Sequence, residues 1–182
     1  MTTIIILAAL ALVVFWGIGI QRKLVGADEL CKNAMSQIGV QQNSRWDALT
    51  ALAELVKGYN EHEYQTLMDV IGQRREVGSG TSAADAQAQE DAIGRVFNQI
   101  KVVAEQYPDL KANEQFLKTM DSVNSYENQV RLARMTYNDS VTKFNRMVRV
   151  FPDSAVAGLL HFEPKDYLKE PEGKTEMPSM KL

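Results

Sequence analysis

The stretch from Tyr107 to Pro152 constrains the fold more than any other part of the chain. Phe116, Met120, Val123, Val130, Tyr137, Val141, Phe144, Val148 and Phe151 recur at alternating steps of three and four for about five heptads, the coiled-coil period of one long helix with one buried seam. Two positions where that count calls for an apolar side chain hold Glu127 and Arg134, seven residues apart on one face. A charge aimed at a core is tolerated only when paired and hydrogen-bonded, so each is expected to meet a partner on a neighbouring helix, or the other.

At the opposite end of the chain, Ile4 to Ile20 form an uncharged run that, with Thr2 and Thr3, reaches the roughly 20 residues needed to cross a bilayer. A cleaved signal peptide fits less well, because no basic segment precedes the run and no small-x-small site follows it. The expected anchor is residues 1–21, with the lipid bilayer as its partner and Trp16 at an interface. Arg22 and Lys23 follow at once, which favours a bacterial inner-membrane protein whose C-terminal part is cytoplasmic; an extracytoplasmic domain is the competing arrangement.

Between these ends, helical periodicity and caps predict an all-α domain over 22–168, with helices at about 22–42, 44–75, 82–106 and 113–150. The anchor helix is expected to run into the first of these through Leu24, Ala27, Cys31 and Ile38, with Gly26 and Gly39 as weak points. Ser44 with Asp47 reads as the cap of a second helix, Ser82 with Asp85 as that of a third, and Asn113 as that of the fourth. Short connections then imply an antiparallel, up-down-up-down four-helix bundle with long helices. The second helix is too long for the first, so either it breaks at Gly58 or Gly72 or the anchor bends near Gly17–Gly26. The apolar, proline-broken stretch after Phe151 should pack on the bundle, and 169–182 should be a flexible tail.

Composition excludes some function classes. The net charge of −3 and pI near 5.5 give no basic excess for nucleic acid, so none is expected as a partner. The one cysteine, Cys31, allows no intramolecular disulfide and reads as a small apolar filler. His62 and Glu63 suggest a zinc motif, but Thr66 stands where the second histidine would be. Neither His62 nor His161 has a glutamate three residues before it, as a di-iron bundle requires, and GSGTS at 78–82 reads as a turn rather than a phosphate loop. No metal, cofactor or catalytic activity is expected.

What stands out is a set of polar residues at or beside seam positions: Asn60, Glu63, Arg74, Glu127, Arg134, Asn138 and Asn145. They read as a buried network fixing helix register, or else as a groove for a partner or small ligand. In the expected topology Arg22, Lys23, Arg74, Arg75, Arg146 and Arg149 collect at the membrane end, where anionic headgroups favour them.

The chain also resembles the LemA family of small membrane-anchored bacterial proteins. The matching pieces are Val40-Gln41, KGYNEHE (57–63), YPDLKANEQF (107–116), the Glu127–Arg134 segment, Tyr137-Asn138, Phe151-Pro152 and FEPKDY (162–167). At Gln42–Leu49 the basic segment and proline usual in that family are missing. The resemblance implies an N-terminal transmembrane helix and an antiparallel helical domain, and no established activity. Together these readings suggest a membrane-anchored scaffold or interaction protein, self-assembling as a homo-oligomer or joined to a membrane protein partner. The alternative is a tethered sensory bundle with a ligand pocket among Trp46, Tyr59, Tyr137 and Phe144.

Overall fold

A computed structural model describes residues 1–169, and among these there are six helices and no strand. The expected tail over 169–182 lies, apart from Lys169, outside the described residues. The first helix, α1 (Thr2–Lys57), is 56 residues long and unbroken, which at 1.5 Å per residue is about 84 Å. Its apolar N-terminal part meets the length and hydropathy of a membrane span and is almost wholly exposed. The helix does not stop at Gln42–Ser44, and this corrects the expected division into helices at 22–42 and 44–75.

The reason lies in packing. Gln42 and Arg45 are only 1% and 2% exposed, and both are tied to the third helix, so tertiary contacts fix the helical backbone through this stretch. A serine cap contributes about 1 kcal/mol, too little to prevail against a packed core. Ser44 instead donates its hydroxyl to the Val40 carbonyl one turn back, at 3.1 Å. Gly26 and Gly39 do not break the helix either. Gly39 serves a close approach: a Cβ there would lie 1.8 Å from the Val77 carbonyl oxygen.

The turn falls at Gly58–Asn60. Asn60 caps α2 (Glu61–Ile71), accepting from the His62 and Glu63 amides at 3.0 and 3.2 Å. Helix α2 runs back along α1, with the Tyr64 hydroxyl donating to Glu54 and Arg74, just beyond it, paired to Asp47. A loop over 72–82 leads to α3 (Ala83–Gln106), which is capped by Ser82 and runs parallel to α1. That direction follows from Gln42 and Arg45 meeting Glu90 while Asn60 meets Tyr107. One turn, α4 (Pro108–Lys111), precedes α5 (Glu114–Arg149), whose cap Asn113 accepts from the Gln115 and Phe116 amides.

Helix α5 descends antiparallel to α1 for its whole length. Its upper residues Phe116 and Val123 join a core around Trp46, Leu49, Leu67 and Ile100. Lower down, Tyr137, Val141 and Phe144 pack with Cys31, Met35 and Ile38, and Met147 and Val148 reach Ile20 and Leu24. Phe151 is not part of that seam, since α5 ends at Arg149 and Phe151 is 80% exposed. A short helix, α6 (Asp153–Leu159), buries Ala157 against Ile20 and Leu24. His161, with a left-handed φ of 57°, then redirects the chain into an extended strap over 162–169.

The upper core thus draws on α1, α2, α3 and α5, whereas the lower one rests mainly on α1 and α5, with α6 at its end. Two helices leave an open groove between them. The strap, Val77 and the first turn of α3 fill it.

Candidate functional site

The candidate polar residues do not converge on one site. Three of them, Arg134, Asn138 and Asn145, lie on one face of α5 and hold the strap. Asn145 is 3% exposed and grips Lys165 twice: its Nδ2 donates to the Lys165 carbonyl at 2.8 Å and its Oδ1 accepts from the Lys165 amide at 2.7 Å. Asn138 does the same to Leu168, at 2.9 and 3.0 Å. The spacing is matched: seven helical residues rise about 10.5 Å, and three extended residues about 10 Å. Each amide side chain therefore meets the main chain as a neighbouring strand would, satisfying both groups of one residue.

Around this pair the Tyr137 hydroxyl donates to the Asp166 carbonyl at 3.1 Å, and Arg134 donates to Gln87 at 2.7 Å and to the Lys169 carbonyl. Lys165 reaches across to Asp28 on α1 at 2.8 Å, Phe162 meets Phe144 edge-on, and Leu168 is buried. Burial pulls the Arg134 guanidinium below its ordinary value, against the opposing pull of Glu90 and Asp91. Burial alone would raise the Asp28 carboxyl, yet hydrogen bonds from Lys165 and Lys32 outweigh it and hold the group below its usual range. Cys31 is buried in the same lower core, and that burial raises its thiol.

The other candidates lie elsewhere. Asn60 is the cap of α2 and also donates to the Tyr107 hydroxyl at 2.9 Å. Glu63 is half-buried in the first turn of α2, and Glu127 is half-buried on α5. Arg74 is exposed and paired to Asp47, some 24 residues above Lys23 on a continuous helix, or about 36 Å. Arg74 and Arg75 are therefore far from the end where Arg22 and Lys23 lie, a correction that follows from α1 not turning at Ser44. Arg146 and Arg149, in the last turn of α5, are at that end.

Besides Arg134, a second buried charge is a residue not singled out from the sequence, Arg45. Arg45 pairs with Glu90 at 2.5 Å, and Gln42 bonds both Glu90 and the Ala86 carbonyl. Gln42 Oε1, Arg45 Nε and Trp46 Nε1 are buried without a partner among the described residues. Extending the three-four count of α1 past Ile38 would have placed Gln42 and Arg45 on its seam beside Trp46, but the expected cap at Ser44 ended the count before them.

The aromatic pocket of the sensory alternative is not assembled. Trp46 belongs to the upper core, Tyr137 and Phe144 to the lower one, and Tyr59 is exposed. His62 and His161 are exposed at opposite ends of the head. Among the described residues no group of three His, Cys, Asp or Glu side chains could hold a metal ion.

Protein LemA of Metamycoplasma hominis is 26% identical over 144 residues, which is 77% of this chain. The match covers 64% of that relative's own length, so the chain spans less than two thirds of it. A sequence model of the LemA family matches residues 34–182, from the middle of α1 onward. By that match, over most of its length, the chain belongs to the LemA family.

Proposed function

We propose that this LemA-type protein is a single-pass scaffold or interaction protein of the bacterial inner membrane. It has no catalytic chemistry of its own and works in assemblies, with further copies of itself or with a membrane protein partner. The observation that carries the reading is α1, which passes from the apolar run into the core of the head without a break. Such a helix fixes the head to its anchor as one rigid body. The head itself is read as a bundle in which the C-terminal half of α1, α2, α3 and α5 alternate in direction. The polar residues of its lower seam bind the chain's own strap, which supports a structural role for them.

The head faces the cytoplasm in this reading, from the basic residues Arg22 and Lys23 just past the span. Light scattering on the full-length protein in mild detergent tests the assembly. A mass of two or more chains is expected, and only monomers at working concentration would remove self-assembly from the account. Labelling of an Asn128→Cys variant in intact cells by an impermeant maleimide tests the orientation. Protection is expected, and reaction without lysis would place the head outside.

A further inference from the structure

Helix α6 sits beside the end of the span. Ala157 is fully buried on Ile20 and Leu24, where the apolar run ends. This contact sets the depth of the whole segment. Val156, Leu159 and Leu160 share an apolar groove with Val13, Trp16 and Ile18 of α1. Val13 lies seven residues before Ile20, about 10 Å further along the helix toward the bilayer centre. Leu159 is nevertheless 79% exposed and Phe151, on the turn leading into α6, is 80% exposed. Leu159 is thus a large apolar side chain presented beside the apolar run, and Phe151 is a second one at the start of the same segment.

We infer that α6 and the turn before it form a second membrane contact, lying in the leaflet from which α1 emerges, with Phe151, Leu159 and Leu160 inserted among the lipids. This rests on the reading of α1 as a membrane span. The occupant of the surface is the bilayer, because the groove is continuous with the lipid-facing side of α1 and its lining is apolar apart from Gln21, at the aqueous end of the run. Charge agrees. Arg22, Lys23, Arg146 and Arg149 are exposed just above this level, where phosphate headgroups lie, so the apolar wedge is capped by cations on its aqueous side. The head therefore stands on two contacts, the span and the wedge, which together restrict its tilt against the bilayer.

The test is spin-label accessibility on full-length protein in phospholipid nanodiscs, on a Cys31→Ala background. Single labels are placed at Leu159, at Phe151, at Val13 within the span and at Asn128 on the exposed face of α5. Oxygen concentrates in the bilayer and a water-soluble nickel chelate is excluded from it. The expected oxygen-to-nickel ratio at Leu159 and Phe151 approaches that at Val13 and exceeds that at Asn128 several-fold. A ratio at Leu159 equal to that at Asn128, with Val13 in lipid, would overturn the wedge and leave the span intact. Low accessibility to both agents with an immobile label would mean that another protein covers the surface, and would also overturn it. If Val13 itself is nickel-accessible, the span reading fails first.

Discussion

At the residue scale, the most informative side chains are amides. Asn145 and Asn138 each satisfy an amide and a carbonyl of the strap, and apolar replacement strands both groups in a partly buried groove. Asn145→Leu should cost about 1–3 kcal/mol for each stranded group and open the strap. Denaturant titration, together with new proteolytic cleavage within 162–169, checks this. Asp28 gives a pH dependence with a definite sign. Its folded-state value is lowered by Lys165 and Lys32, so its contribution is fully present above the ordinary carboxylate value of about 3.9 and is lost as pH falls through the lower folded value. Asp28→Asn should lower the melting temperature at neutral pH, and the two proteins should converge in acid. A constant difference between them down to the acid end would contradict the assignment. Sequence pattern found Arg134, Asn138 and Asn145 as polar residues in a seam, yet gave them helix partners. Arg134 does meet a neighbouring helix, at Gln87 of α3, but the partner it shares with Asn138 and Asn145 is an extended segment with no periodicity of its own, which a count along a helix has no way to see.

At the element scale, two glycines of α1 that look alike in sequence behave differently. Gly39 lies under the Val77 carbonyl, and a Cβ there would collide with backbone, whereas nothing lies within 4 Å of a Cβ at Gly26. Gly39→Ala should destabilise the head by about 1–3 kcal/mol through overpacking. Gly26→Ala should stabilise the helix by about 0.5–1 kcal/mol. Thermal unfolding of both, followed by circular dichroism in detergent, is the check, and equal effects would be wrong for this structure. The caps at Ser82 and Asn113 were legible because each side chain bonds within three residues of itself. The serine at 44 has the same local pattern and starts no helix. What decides there is Gln42 and Arg45 meeting Ala86 and Glu90 some 45 positions later, contacts that no local signal carries.

At the scale of the whole molecule, the continuity of α1 determines where everything else lies. The sequence expectation of a turn at 42–44 would send the next helix back toward the membrane and bring Arg74 and Arg75 there. The continuous helix instead carries the upper core away from the apolar run and leaves the lower half to α1, α5, α6 and the strap. The all-helical class, the apolar N-terminal run and the family were all legible in the chain. The number of helices at each level was not, because it depends on one turn that packing suppresses. Pulsed electron-electron spin distances test this directly, with labels at Arg22→Cys and Lys57→Cys in a Cys31→Ala background, on full-length protein in nanodiscs. One helix over those roughly 35 residues predicts a single narrow peak at about 52 Å. A peak at about 10–20 Å, as a chain turning back at Ser44 would give, or a broad distribution, would contradict the account.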